Sequence, residues 1–405
     1  MKNTQSIGIL SLACASFFGL GVITAAVGPS LPNLAGNTAS TLSAVGSLFT
    51  ALFFGALAAQ SFTGLLLDRL GPRWLILSGL LVMGTGILGV SLARSLPLAL
   101  ACAAFAGFGH GIIDVVMNVS ISDLFPQKRA SVLNLLNVFY GIGAFIAPAV
   151  AGYFLRLSNN SLPALQLGAG LELALIPLSV WLFRAPTFAR STAQSAQSSQ
   201  SLLRSPALWL LGMLLLLYVG TENAAGGWVS TYLQQTTFLA AATAALGASG
   251  FWLALTIGRV VGTILGARWQ ARSLLAASLG VAFCGGLLIS LSTGHVALSV
   301  LGFLLLGFGF GPVFPTTLAI TTAAFSQSSG AAASLVVAMG SIGGMIIPWL
   351  QGILLENSGP RAGALLLPLG GLLMLGCTAA IRRARGKAGF SSSSFANISG
   401  GDKMD

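Results

Sequence analysis

Apolar stretches of helical length, separated by short polar segments, fill most of the chain. A membrane-spanning helix needs about 20 predominantly apolar residues. Twelve such stretches lie at approximately 7–30, 42–66, 74–93, 97–121, 131–155, 164–184, 207–233, 241–266, 273–292, 296–322, 330–353 and 362–381. They are continuous and lack the roughly ten-residue alternating segments of a membrane β-barrel. The pattern predicts an all-α polytopic membrane protein with twelve transmembrane helices.

Two polar segments interrupt this pattern. Residues 185–206, after the sixth stretch, are rich in Ser, Ala and Gln and predict a cytoplasmic linker. Residues 388–405 are rich in Ser and Gly and predict a disordered cytoplasmic tail. The remaining chain divides into an N-terminal six-helix bundle at 1–184 and a C-terminal six-helix bundle at 207–387.

The two predicted bundles share a repeated sequence pattern. Residues 107–111 read GFGHG and residues 307–311 read GFGFG, while Pro148 recurs as Pro348. Because each unit has an even number of helices, the two units lie parallel. Parallel repeats place a solute site at their interface, near the middle of the membrane.

The composition agrees with a membrane protein. Charged residues make up 7% and hydrophobic residues 55% of the chain, whereas a soluble domain carries roughly 25% charged residues. This scarcity excludes a soluble enzyme, a soluble binding module and a disordered protein. The net charge of +11 would indicate a nucleic-acid partner in a soluble protein. Here the basic residues are single or paired between apolar stretches, so we expect no nucleic-acid partner.

The basic residues also predict the orientation in the membrane. Fifteen Lys and Arg residues fall on the side that carries the N-terminus, and three, Arg94, Arg156 and Arg361, fall on the other side. Cytoplasmic loops carry the excess of Lys and Arg. We therefore expect both termini in the cytoplasm, in an integral protein of a bacterial plasma (inner) membrane.

The segment after the second stretch, residues 64–73, reads GLLLDRLGPR. It resembles the G-x-x-x-D-R-x-G-x-R/K motif of the major facilitator superfamily at every fixed position. With twelve spans, a central linker and the repeat, the resemblance covers essentially the whole chain and implies two parallel six-helix bundles and alternating access. It assigns conformational gating to Gly64, Asp68, Arg69, Gly71 and Arg73. The alternative is that the segment serves only as a topology signal.

Within this motif, the resemblance and the helix dipole suggest one specific contact. Asp68 is expected to face the positive N-terminus of the eleventh helix, near Gly330. Such a contact would hold one conformation and break in the other.

Four charged residues fall within the predicted spans, where charge is costly and therefore informative: Asp114, Glu172, Glu222 and Arg259. We place Glu172 one or two turns from the outer end of its helix, where water can reach it, which favours a structural role. Arg259 near the inner end of the eighth helix can pair with an acid or extend to the interface. A structural or a gating role is open for it.

Polar side chains at helical spacing accompany two of these acids. On the fourth helix three of them share one face, and on the fifth and seventh helices others lie one turn apart. They predict a binding site for solute and proton made of His110, Asp114, Asn118, Asn134, Asn137, Tyr140, Glu222 and Trp228. The alternatives are a structural acid for Asp114 or Glu222, core packing for His110 and an interfacial anchor for Trp228.

The fourth, fifth and seventh helices show a narrower resemblance. Residues 111–118 (GIIDVVMN), 134–143 (NLLNVFYGIG) and 218–233 (YVGTENAAGGWVSTYL) are similar to the fucose:proton symporter family and its sugar-permease-like relatives. The resemblance implies that Asp114 takes part in solute binding and proton coupling. A second acid of that family falls on Gly28 in this chain, so either Glu222 takes its role or the coupling differs.

These features predict a secondary transporter. The four Cys residues are scattered in apolar stretches, and no metal-ligand spacing or nucleotide motif occurs, so we expect no cofactor, no metal and no enzymatic activity. The first hypothesis is proton-coupled uptake of a sugar-like or other small polar solute by a monomer. The second is proton-driven efflux of drugs or metabolites, because residues 143–152 (GAFIAPAVAG) resemble the superfamily's antiporter motif. A membrane receptor is the third class.

Overall fold

The computed structural model describes residues 2–182 and 202–387, whose regular structure is α-helical apart from two short 3-10 turns. The helices are Lys2–Asn37, Leu42–Leu92, Leu96–Leu124, Arg129–Ser158, Leu162–Leu182, Pro206–Thr237, Ala241–Gly266, Ala271–Leu291, Val296–Phe310, Val313–Ala324, Ser329–Asn357 and Pro360–Lys387. The predicted tail and most of the predicted linker, residues 185–201, lie outside the described residues.

Twelve segments of the described chain are long and apolar enough to cross a membrane, which confirms the predicted number. We number them in chain order as spans 1 to 12: Gln5–Asn37, Leu42–Gly64, Arg69–Leu92, Leu96–Leu124, Ser131–Ser158, Leu162–Leu182, Pro206–Thr237, Ala241–Gly266, Ala271–Leu291, Val296–Ala324, Ser329–Asn357 and Pro360–Ile381.

Spans 2 and 3 follow each other without the ten-residue loop that the motif at 64–73 suggested. The helix Leu42–Leu92 contains both, and its interruption is Gly71, with φ 74° and ψ 164°. Side-chain-bearing residues rarely adopt this conformation, whereas glycine adopts it readily. One glycine of the motif therefore interrupts this long helix, two residues after the start of span 3.

Span 1 extends further than the sequence pattern suggested. Its helix continues through Pro29 and Pro32 to Asn37. A proline removes a backbone hydrogen bond, but in membrane helices the neighbouring helices compensate the freed groups. The hydrophobic pattern alone placed the end near residue 30.

The two halves repeat the same packing. Span 1 packs against spans 5 and 6, as span 7 packs against spans 11 and 12. The repeated glycines make equivalent packing contacts. Gly107 packs against the backbone of Leu52 in span 2, and Gly307 packs against the backbone of Phe251 in span 8. Small residues allow such close contact between membrane helices.

The halves meet along three pairs of spans: span 5 with span 8, span 2 with span 11, and span 1 with span 7. We call the end of the bundle that carries Gly64, Leu124 and Gly266 the basic end, after the predicted excess of Lys and Arg there. We call the end that carries Asn37 and Ser158 the opposite end. The site lies between these ends, where the three pairs of spans converge.

Candidate functional site

An ion pair lies in the C-terminal half, between spans 7 and 8. The Arg259 guanidinium Nη2 lies 3.4 Å from the Glu222 carboxylate Oε1, and the Tyr218 hydroxyl donates a hydrogen bond of 2.9 Å to the same oxygen. The side chain of Glu222 is 9% exposed and that of Arg259 is 21% exposed. A pair that is this buried keeps its charges only because each group compensates the other. The sequence left two positions open for the Arg259 side chain, a pair with an acid or an extension to the interface. The structure shows the pair with an acid, Glu222.

A second acid lies in the N-terminal half without a cation. Asp114 of span 4 is half-buried, and the Asn118 side-chain amide donates to its Oδ1 over 2.9 Å and to its backbone carbonyl over 2.9 Å. Asn118 is its hydrogen-bond partner in the described residues, and no described Lys or Arg pairs with it. Asp114 and Glu222 therefore differ in how their charges are compensated.

Tyr140 of span 5 lies where the two halves meet. Its backbone carbonyl packs against Gly21 of span 1, and the next residue, Gly141, packs against the Thr256 side chain of span 8. Sequence reasoning included Tyr140 only as a neighbour of the Asn134–Asn137 face, and the structure places it at the contact between spans 1, 5 and 8.

A cavity of about 60 Å³ lies between spans 1, 2, 3, 4 and 7, and its wall includes a residue one turn from Asp114 on span 4 and the residue next to Glu222 on span 7. Three polar side chains reach its wall: Thr24, His110 and Asn223. The rest of the wall is apolar and consists of Ile23, Phe49, Leu52, Phe53, Ala56, Met83, Ile87, Ala106 and Gly107. A pocket with apolar walls and a few polar groups is the usual form of a small-molecule site.

Sequence reasoning named His110 and missed Thr24 and Asn223. Both are polar residues in the middle of long apolar spans, the same signal that identified the intramembrane charges. Their hydrogen bonds run to their own helix: Thr24 donates to the Leu20 carbonyl over 2.8 Å, and Asn223 donates to the Val219 carbonyl over 2.9 Å. The side-chain oxygen Oδ1 of Asn223 and the hydroxyl oxygen of Thr24 can still accept a hydrogen bond from a solute.

Asn134 and Asn137 lie on span 5, between Tyr140 and the basic end, and both are exposed. The Asn137 amide donates to the Leu133 carbonyl over 3.0 Å. The structure does not bring either residue into a hydrogen bond with the two acids. They border the approach to the cluster and not its centre.

Trp228 lies towards the opposite end and is fully buried. Its indole Nε1 donates to the Pro348 carbonyl over 2.8 Å. A Cβ on Gly46 would lie 2.9 Å from the Trp228 ring, and one on Gly352 would lie 2.5 Å from it, so both glycines make room for the indole. The structure therefore places Trp228 in a contact between spans 2, 7 and 11, away from the lipid-facing surface.

Closure of the bundle at the opposite end depends on direct contact between the halves. A Cβ on Gly28 of span 1 would lie 2.5 Å from the carbonyl oxygen of Gly227 in span 7, and Gly227 in turn faces the Phe49 ring. At the rim, the backbone N–H of Ser43 donates to the Glu356 carboxylate over 2.6 Å. These contacts join spans 1, 2, 7 and 11 into a seam, which we call the glycine seam.

The basic end carries the motif at 64–73. Gly64 of span 2 and Gly330 of span 11 have no heavy atom within 4 Å of the position of a Cβ. Arg69 is exposed, and the Arg73 guanidinium lies 5.3 Å from the centre of the Trp74 ring. The Asp68 side chain lies outside the described residues, so its expected contact with span 11 stays a prediction.

Glu172 does not lie where the sequence suggested. Span 6 begins at Leu162, so Glu172 is in its middle, and it is fully buried. The expectation that water reaches it near a helix end is wrong for this conformation. The start of the span differs from the expected one by only two residues, so the burial comes from packing, because the Glu172 carboxyl lies against Gly19 of span 1.

The described residues contain no group of three or more His, Cys, Asp or Glu side chains that could hold a metal ion. The four cysteines are free and separate. The site therefore consists of carboxylates, one guanidinium, phenols and amides, which suits hydrogen bonding to a solute and proton exchange.

Comparisons with known proteins agree with this architecture. The sequence profile described as Major Facilitator Superfamily matches residues 12–291. The chain is 30% identical over 348 residues to the cyanate transport protein CynX of Escherichia coli (strain K12), covering 82% of this chain and 86% of that protein. It is 24% identical over 386 residues to sodium-dependent glucose transporter 1 of Danio rerio, covering 86% of this chain and 65% of that protein.

Solved structures show the same fold. The nucleoside transporter NupG (D323A mutant) superposes with a TM-score of 0.76 at 14% identity, covering 93% of this chain and 99% of that chain. The transporter FucP in the outward conformation superposes with a TM-score of 0.66 at 19% identity, covering 93% and 99%. The predicted twelve-helix fold is confirmed. The chain belongs to the Major Facilitator Superfamily, whose members are membrane transporters and not enzymes.

Proposed function

We propose that the protein takes up a small, neutral, polar solute together with protons, by alternating access between two parallel six-helix halves. The observation that carries this proposal is the unequal compensation of two acids beside one cavity. Glu222 has a guanidinium and a phenol as partners, whereas Asp114 has one amide. We therefore assign the coupled proton to Asp114 and a fixed charge to Glu222.

The charge of the site favours a neutral solute. Glu222 and Arg259 cancel each other, and a protonated Asp114 adds no charge. An anion would have to compete with Glu222 for Arg259, and a cation would compete with Arg259 for Glu222. Desolvating either ion inside the membrane is costly.

The walls of the cavity favour a solute with both polar and apolar surfaces. Phe49 and Phe53 supply flat apolar surfaces, while Thr24, His110 and Asn223 supply hydrogen-bonding groups. Sugars have hydroxyl edges and C–H faces that fit such a wall. The names of several related proteins, a glucose transporter, a fucose:proton symporter and a nucleoside transporter, support this class.

The proposed cycle follows from the two ends of the bundle. With the basic end in the cytoplasm, as the Lys and Arg distribution predicts, the glycine seam holds the halves together on the outer side, and we assign the described conformation to the inward-facing state. Return to the outward state requires the glycine seam to part and the halves to approach at the basic end. There, the motif at 64–73 and span 11 would meet, and Asp68 would face the N-terminus of span 11.

A reconstituted transport assay tests this function. Proteoliposomes that enclose a pH-sensitive dye are exposed to an inward gradient of candidate sugars and nucleosides, without a sodium gradient. Symport predicts acidification of the lumen upon solute entry. In the Asp114→Asn variant, the solute-driven proton flux is expected to fall at least tenfold, because an amide does not bind and release a proton near neutral pH.

The matched control is Asp123→Asn, since Asp123 is an exposed acid at the end of the same span. It is expected to transport like the wild type. Coupled proton flux that survives in Asp114→Asn contradicts the assignment of Asp114. Solute flux that depends on an added sodium gradient and moves no protons contradicts proton coupling.

A second candidate is proton-driven efflux. It is favoured by residues 143–152 of span 5, which resemble the antiporter motif and pack at Gly152 against Ala242 of span 8. In the same assay, solute entry that alkalinises the lumen would indicate antiport. The direction of proton movement therefore separates the two functions.

A further inference from the structure

Glu172 is an intramembrane acid outside the cavity described above. It lies in the middle of span 6, is 0% exposed, and neither of its carboxylate oxygens has a hydrogen-bond partner. Its carboxyl rests directly on the backbone of span 1 at Gly19, where any Cβ would overlap it. One turn along span 1, the Ser16 hydroxyl is also buried and without a partner.

The surroundings of Glu172 supply no compensating charge. Span 1, span 3 and span 5 pack against span 6. The ionisable residues with described side chains on these three spans are Cys14, Arg69, Arg73, Tyr140, Tyr153 and Arg156. None of them forms a hydrogen bond with Glu172, whose two carboxylate oxygens are buried and have no partner among the described residues.

A carboxylate in such a place is physically untenable. An ionised carboxylate needs a cation or several hydrogen-bond donors when it is removed from water, and otherwise takes up a proton. Uncharged, the same group costs far less to bury. The carboxyl must therefore be neutral when Gly19 covers it.

We propose that Glu172 is a second proton-binding site, formed by span 6 and the Ser16–Gly19 turn of span 1, and that it is occupied in the described conformation. Span 1 contacts both the cavity and the surroundings of this site. Its residue Ile23 lines the cavity and also contacts Gly168, which lies one turn from Glu172 on span 6. A shift of span 1 on solute binding uncovers or covers the carboxyl. Occupancy by a proton thus depends on the position of span 1.

The bound proton itself does not depend on the proposed transport function, whereas its release during transport rests on that function. The infrared spectrum of the purified protein in lipid at neutral pH tests the first point. A protonated carboxyl gives a C=O stretching band that carboxylates lack. We expect this band in the wild type. Glu172→Gln is expected to remove the part of the band that comes from glutamate, whereas Asp114→Asn and Glu222→Gln are expected to retain that part.

The wild-type protein provides a reading that needs no variant. The chain contains three glutamates, Glu172, Glu222 and Glu356. With glutamate labelled by carbon-13 at its side-chain carboxyl, the band is expected to shift to lower frequency, and Gly19→Ala is expected to move it because a Cβ presses on the carboxyl. A wild type without a label-sensitive band at neutral pH overturns the proposal. A label-sensitive band that persists in Glu172→Gln also overturns it.

The transport assay then separates the two levels of the proposal. If Glu172 releases its proton during the cycle, Glu172→Gln is expected to keep solute flux but to lower the number of protons moved per solute by about one. An unchanged ratio with a lost infrared band would leave Glu172 as a permanently protonated residue and would overturn the part played by span 1. A wild type that moves no protons contradicts the proposed function and leaves the infrared result standing.

Discussion

The two halves of the protein share a scaffold but not its chemistry. Equivalent spans pack together in both halves, and the repeated glycines pack against the backbone of equivalent spans. Yet position 314, which corresponds to Asp114 by the 200-residue offset, is a phenylalanine whose ring centre lies 6.4 Å from that of Tyr218. The C-terminal half holds a compensated ion pair, whereas Asp114 and Glu172 of the N-terminal half have no cation among the described residues. The difference suggests a division of labour in which one half fixes charge and the other exchanges protons.

The most disruptive test of this comparison removes the cation of the C-terminal half. Arg259→Gln leaves Glu222 buried with Tyr218 as its remaining partner. Breaking a buried pair in this way costs about 3–5 kcal/mol, which we expect as a large fall in the thermal stability of the purified protein. The double variant Arg259→Gln/Glu222→Gln is expected to recover most of the loss, since no unpaired charge remains.

Arg268→Gln is the control for that measurement, because Arg268 is exposed just beyond the end of the same span. Equal stability of the Arg259 and Arg268 variants would show that the C-terminal pair is not a fixed charge. A double variant that is less stable than Arg259→Gln would have the same meaning.

A smaller effect is expected where the halves meet. Trp228→Phe keeps an aromatic ring in the glycine seam but removes the N–H that bonds to the Pro348 carbonyl. Such a bond contributes about 1 kcal/mol, which corresponds to roughly a fivefold change in the ratio of two conformations. We expect faster labelling of a cysteine introduced at Ser47, on span 2 beside the seam, in a background without the native cysteines.

Trp209→Phe is the matched control, because the Trp209 indole also donates to a carbonyl, that of Leu203, but lies away from the seam. Equal labelling rates in both variants would mean that the Trp228 hydrogen bond does not hold the opposite end closed.

The smallest effect is expected at the rim of the seam. Glu356 is exposed, and its carboxylate accepts from the first turn of span 2 through the Ser43 N–H. Charges at such an exposed helix terminus contribute about 0.3–1 kcal/mol at low salt and less at high salt. Glu356→Gln is expected to raise Ser47 cysteine labelling up to about fivefold at low salt, and the increase should disappear at high salt. An increase that salt does not alter would exclude an electrostatic contribution.

Much of the fold was predictable because membrane spans depend on local composition. The hydrophobic pattern gave twelve spans, and the motif at 64–73 gave the superfamily. The exact ends were not predictable, since Gly71 makes a turn with one residue and span 1 continues through two prolines. Glu172 was expected near water because the sequence does not reveal that Gly19 of span 1 packs over its carboxyl.

The candidate site was predictable in part. Acids within apolar spans are conspicuous, so Asp114 and Glu222 could be named. Which acid has a cation could not, because the pairing of Glu222 with Arg259 joins two helices whose rotation the sequence does not specify. Thr24 and Asn223 were not predicted as cavity residues for the same reason, because their exposure to the cavity depends on how spans 1 and 7 pack.

The glycine seam also restricts how the two halves can change over evolutionary time. At Gly28 and Gly227 each half occupies the volume that a side chain of the other would need. A larger residue at Gly28 is therefore tolerated only if the backbone at Gly227 moves away, and a larger residue at Gly227 only if the Phe49 ring moves away. The duplicated halves are free to diverge in their chemistry, as their acids show, but at this point they must remain a matched pair, and a chimera that joins halves from different relatives would fail here first.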